Sequence, residues 1–135
     1  MALTWLNSLA VGVPDIDKQH QELFAKANTL FDAMRAGESK EAIGPLMGFL
    51  GDYVVQHFQS EERHMRLTGY PAYPVHKAQH DAFVTKFKEF AKDLETNGPH
   101  PVLAIRVQRT VSEWLLNHIA KVDTQLAAHL NSKAA

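Results

Sequence analysis

The chain has no cysteine. That excludes disulfides, zinc–thiolate sites and cysteine-held iron–sulfur clusters. It also has no long apolar run, and its first residues, Met1-Ala2-Leu3-Thr4-Trp5-Leu6-Asn7, carry no basic stretch ahead of an apolar one. Neither a signal peptide nor a membrane span is expected, and a soluble, cytoplasmic protein is the default. Charge of one sign is missing as well. Lys+Arg number 14 against 15 for Asp+Glu, a formal charge of −1, and the basic residues form no stripe. Nucleic acid and anionic membranes are therefore not expected partners. No linker or low-complexity segment divides the 135 residues, which suit one domain, 1–135, with a real core.

What is present is helical periodicity. Residues 1–14 hold Trp5, Leu6, Leu9, Val11 and Val13, with Gly12 and Pro14 against a helix. They read as an extended arm laid on the core. Asp15 is the expected N-cap of a first helix over about 16–36, with Asp17 in its first turn. Along it His20, Phe24, Ala27, Phe31 and Met34 step by 4, 3, 4, 3, the seam of a helix facing a bundle core. Gly37 is the expected stop and Ser39 the next N-cap. The second helix, about 40–67, has the seam Ile43, Leu46, Leu50, Val54, His57, Glu61 and Met65. After the connector Gly69-Tyr70-Pro71-Ala72-Tyr73-Pro74, a third helix over about 75–94 aligns His76, His80, Phe83, Phe87, Phe90 and Leu94. The fourth, about 101–130, aligns Val107, Val111, Trp114, His118 and Val122, with Leu115, Ile119 and Leu126 beside them. The fold class is therefore all-α, an up-down-up-down four-helix bundle with an extended N-terminal arm.

The seams carry the chemistry. Residues four apart on a helix face the same way, so His57 with Glu61 and His76 with His80 each point at one place. His20 and His118 take apolar seam positions on the other two helices. Asp123 follows His118 by five residues rather than four, which in a regular helix turns its side chain about 140° away. Side-chain reach or a local π-type widening would restore convergence, and such widenings are frequent at functional sites. A buried imidazole or carboxylate is costly unless paired or metal-bound. Five imidazoles and two carboxylates exceed what one tetrahedral zinc takes. They suit two metals bridged by Glu61 and Asp123, with three imidazoles on one and two on the other. Iron, zinc, copper and nickel all favour such donors over magnesium or calcium.

Trp5, Gly12, Asp17-Lys18-Gln19-His20, His57-Phe58 with Glu61-Glu62, Gly69-Tyr70-Pro71, His76 with His80, and Trp114-Leu115 with His118-Ile119 and Asp123 together resemble the hemerythrins of the single-domain bacterial kind. The resemblance covers essentially the whole chain, and no ligand position departs from the family's pattern. It implies two iron ions (Fe2+/Fe3+) with an oxo or hydroxo bridge, and O2 as reversible ligand. His76, His80 and His118 would hold the saturated iron, His20 and His57 the iron with the open place, and Glu61 and Asp123 would bridge. Leu23, Phe58, Trp114, Leu115 and Ile119 would form an apolar O2 pocket. The implied function is an oxygen carrier, store or donor to an O2-consuming enzyme, in a monomer, and not an enzyme itself. The alternatives are an O2 or redox sensor acting through a signalling partner, or a di-iron enzyme handling peroxide or nitric oxide. Glu61-x-x-His64 is only a fragment of the ferritin-like signature. Glu62, about 100° from Glu61, is assigned a supporting or surface role. His100, between prolines, is expected in solvent, and His129 near a helix end.

Overall fold

In a computed structural model, the described residues are 3–5, 9–10 and 12–134, without the side chains of 121, 122, 131, 133 and 134. Leu6, Val11 and the Val122 side chain lie outside them. Among the described residues there is no strand. The helices are α1 (Pro14–Arg35), α2 (Lys40–Thr68), α3 (Tyr73–Asn97) and α4 (Pro101–Asn117), followed by a π-helical segment (His118–Asp123) and α5 (Thr124–Ala134). The last three run on as one rod. Short turns join four antiparallel rods: α1 packs on α2, α2 on α3 and α5, and α4 closes against both α1 and α3.

The ends show which local rules won. Pro14, expected to break structure, is the first helical residue of α1. Val13 is the N-cap and Asp15 falls in the first turn, so the cap expected at Asp15 lies two residues earlier. Proline suits that place because its missing N–H would have no intrahelical partner there. The Asp17 carboxylate accepts instead from the Gly12 N–H at 3.2 Å. Ser39 caps α2 as its sequence suggests, accepting from the Ala42 N–H. Gly37 and Gly69 stop α1 and α2 at φ 70° and 65°. The residues after them, Glu38 and Tyr70, reach back to the carbonyls of Ala33 and Met65 at 3.2 and 2.9 Å. Both are Schellman stops, which need the left-handed conformation glycine adopts freely.

The seams are buried as their periodicity demands, with two adjustments. Between the buried Ile43 and Leu50 it is Met47 that points into the core, and Leu46 lies at the core's edge. On α4 the innermost line is Leu103, Val107, Val111 and Leu115, and Trp114 flanks it half-buried. Residues 3–5 are not helical. Asn28 on α1 holds Leu3 by both its backbone groups, each at 2.7 Å, which seats the arm on the core. Helix α3 takes in Tyr73 and Pro74 from the expected connector, proline being suited to a first turn, and runs three residues past Leu94, to Asn97. No helix among the described residues is long and apolar enough to cross a membrane.

Candidate metal centre

All four rods deliver a polar side chain to one end of the core: His20 from α1, His57 and Glu61 from α2, His76 and His80 from α3, and His118 and Asp123 from the π-helical segment. None is more than 4% exposed. The π-helical turn spans His118–Asp123 itself, so i→i+5 bonding takes up the odd fifth residue. His118 Nε2 and Asp123 Oδ1 come to 3.1 Å. Thr124 Oγ1 donates to the Ala120 carbonyl within the widened turn, at 3.0 Å.

Potential ligand atoms fall into two groups, each within 4.8 Å: Glu61, His76, His80, His118 and Asp123 in one, and His20, His57, Glu61 and Asp123 in the other. The two carboxylates belong to both. Nε2 faces inward on all five rings. His20 Nε2 lies 3.0 Å from Asp123 Oδ2, and His76 Nε2 lies 3.1 Å from Oδ1. His57 and His80 Nε2 lie 3.5 and 3.2 Å from Glu61 Oε1.

Closeness here is not hydrogen bonding. Both carboxylate oxygens of Glu61 and of Asp123, and both ring nitrogens of His20 and His76, are buried with no hydrogen-bond partner. Such orphans are rare in folded proteins because each costs about 1–3 kcal/mol. Burial pushes the His57 imidazole down to about 3, assisted by the neighbouring His20. It pushes His80 down to about 2, with His118 and His76 next. Both are therefore neutral at pH 7, the form that binds metal. Burial and Asp123 hold Glu61 well above the carboxylate range. Burial alone would raise Asp123 too, but His118, His20 and His76 outweigh it and hold it well below. Two cations between the carboxylates would satisfy the four carboxylate oxygens and the inward Nε2 atoms of His20 and His76, and the imidazole and carboxylate donors fit iron.

A supporting layer fixes the rings from outside. His57 Nδ1 meets Gln19 Oε1 at 2.6 Å, His80 Nδ1 meets Glu62 Oε2 at 2.9 Å, and His118 Nδ1 meets Gln79 Oε1 at 3.3 Å. A proton held on Nδ1 leaves the Nε2 lone pair for a metal. Sequence reasoning assigned no role to Gln19 or Gln79. The available signal was that each precedes a seam histidine by one residue. Phe58 stacks on His80 with centroids 3.8 Å apart, and Trp114 on His118 at 4.2 Å. Leu23, Leu115 and Ile119 are buried in the same core cluster.

The other histidines stay outside. His64 is half-buried and belongs to neither ligand group. His100 is not a free loop residue: it is the N-cap of α4, where its Nδ1 accepts from the Leu103 N–H. His129 Nε2 meets the Thr68 carbonyl and hydroxyl at 3.2 and 3.0 Å, tying α5 to the end of α2.

Residues 11–130 match the family model described as the hemerythrin HHE cation binding domain. The bacteriohemerythrin of Methylococcus capsulatus is 36% identical over 122 residues, 90% of this chain and 91% of that protein. That of Stenotrophomonas maltophilia is 30% identical over 98% of this chain and 86% of its own. A crystal structure of wild-type hemerythrin superposes with a TM-score of 0.87 at 34% identity, covering 96% of this chain and 98% of that one. The chain belongs to the hemerythrin family.

Proposed function

We propose that this protein binds O2 reversibly at a non-haem di-iron centre, in which His76, His80 and His118 hold one iron, His20 and His57 the other, and Glu61 and Asp123 span both. The observation that carries this is the pair of ligand groups sharing two buried carboxylates whose oxygens have no other partner. Two ferrous ions at this site would supply the electrons that O2 takes up on binding and returns on release. The iron with two imidazoles has the fewer protein donors and so keeps room for a ligand. The protein's own part is to hold neutral imidazoles by their Nδ1 protons and to keep water away. Leu23, Phe58, Trp114, Leu115 and Ile119 form the apolar surround. Four of them are no more than 3% exposed, and a dry wall withholds the protons that would turn bound O2 into released peroxide. Carriage, storage and delivery to an O2-consuming partner are uses of this one reversible site.

The test is iron content with an optical titration. Protein reconstituted without air should hold about two irons per chain and develop a visible charge-transfer band with O2 that disappears under vacuum. His20→Ala should lose the O2 response while keeping more than half of the wild-type iron content. A wild-type band that persists under vacuum would replace the carrier with a redox-active centre of another kind.

A further inference from the structure

Five rings face the centre, yet their outer nitrogens are held unequally. His57 and His118 meet the amide oxygens of Gln19 and Gln79. The Nδ1 atoms of His20 and His76 are buried without a hydrogen bond. His80 alone among them meets a carboxylate, Glu62 Oε2, at 2.9 Å. Its Nε2 points inward, 3.1 Å from His118 Nε2 and 3.2 Å from Glu61 Oε1. If Nε2 ligates, the neutral ring must carry its proton on Nδ1, so Glu62 can only accept. Phe58, parallel to the His80 ring within 1°, keeps that nitrogen aimed at Glu62.

Glu61 and Asp123 are common to both ligand groups, so their charge does not distinguish the two metals. Glu62 does. It touches a ring of the three-imidazole group only. It is 8% exposed, beside a groove of about 420 Å³ between α2 and α3 that also holds Lys77, Asp81 and Lys88. Lys77 is engaged by Asp81 at 3.0 and 2.9 Å, and among the described residues His80 is the hydrogen-bond partner of the Glu62 carboxylate. A carboxylate accepting from a ligating imidazole raises the ring's basicity and favours the higher charge on its metal.

We propose that Glu62 is a positioning residue that makes the two metals electronically unequal, directing the first oxidation to the metal held by His76, His80 and His118. The proposal rests on the di-iron reading above. The oxidation is a one-electron step in which the ferrous pair gives an electron to an oxidant such as ferricyanide and becomes one ferrous and one ferric ion.

Glu62→Gln keeps the acceptor and removes the charge. In iron-loaded protein, a mediated titration between dithionite and ferricyanide should show the first oxidation about tenfold less favourable, a rise of ~59 mV. Glu62→Asp, which restores the carboxylate, should recover part of that shift. Gln19→Glu, which places a carboxylate on the opposite side, should lower the potential. In the double variant Glu62→Gln/Gln19→Glu, Mössbauer spectra of the half-oxidised pair should show the ferric ion at the other site, with changed quadrupole splitting. An unmoved potential in Glu62→Gln with full iron content overturns the proposal, since an anchoring role alone would leave the potential in place. If Glu62→Gln loses iron, Mössbauer spectra of the half-oxidised wild type that put the ferric ion on the metal held by His20 and His57 overturn it equally. Wild-type protein that holds no iron pair refutes the di-iron reading itself, a different result from either.

Discussion

Glu61→Met should stabilise the metal-free protein and destroy the centre. Glu61 is fully buried, and both its oxygens lack a hydrogen-bond partner. Burial and Asp123 push its carboxyl well above the usual range, which favours the protonated form and lessens the charge penalty when no metal is bound. The cost of two unpartnered neutral polar atoms remains, about 1–3 kcal/mol each. Methionine has a similar length, no strong polar atom and enough freedom to fill the space. Replacing buried polar groups by apolar ones of like volume is often stabilising by about 1–4 kcal/mol. We expect a gain of about 2–4 kcal/mol, and at about 4 °C per kcal/mol for a chain of this size a rise of ~8–16 °C in melting temperature. The assay is calorimetry on chelator-treated protein at pH 7. With iron the order should reverse, because only the wild type gains binding free energy on folding. Metal-free Glu61→Met melting at or below the metal-free wild type would refute the reasoning that the site's polar atoms are destabilising until a cation meets them.

Three further outcomes are expected. Because His57 and His80 are held down to about 3 and about 2, the unfolded chain takes up protons below pH 6.5 that the folded one refuses. That stability is present above 6.5 and is lost as pH falls toward 3, at about 1.4 kcal/mol per pH unit for each group; Glu61, whose carboxyl is raised in the fold, offsets part of the loss, and denaturant melts of metal-free protein at pH 7, 6 and 5 should record a net fall. On α2, Gly48 faces open space, whereas a Cβ at Gly51 would stand 3.0 Å from Phe87 Cε2. Gly48→Ala should gain up to ~1 kcal/mol of helix propensity, and Gly51→Ala should lose that gain to crowding against a buried ring, so equal effects in denaturant melts would contradict the packing described. Deleting Ala120 leaves His118 and the aspartate four residues apart, a regular helical step, and should preserve iron content. Loss of iron there would show that the widened turn does more than absorb a residue.

Much of this was legible in the residues because a histidine or carboxylate in an apolar seam is conspicuous. Histidines stand where the 4, 3, 4, 3 steps of α1 and α3 ask for leucine, and burial follows from the period alone. The five-residue step to Asp123 was legible for the opposite reason: regular geometry turns it away from His118, which left side-chain reach or a widened backbone, and the backbone widens. What periodicity could not reveal depends on having two neighbours at once. Glu62 lies off the seam of α2, yet α2 packs on both α1 and α3, and the arc it buries reaches Glu62. Gln19 and Gln79 act across helices on rings 38 and 39 residues away. His129 returns to the end of α2, 61 residues away, to meet Thr68. Pro14 is ambiguous in sequence because proline both stops and starts helices, and only the chain before it decides which.

The most direct test is gas uptake. Fully reduced, iron-loaded protein should take up one O2 for every two irons, release it under vacuum, and take it up again without added reductant. Uptake of one O2 per iron, or uptake that cannot be repeated without reductant, would contradict a reversible centre in which two irons share Glu61 and Asp123.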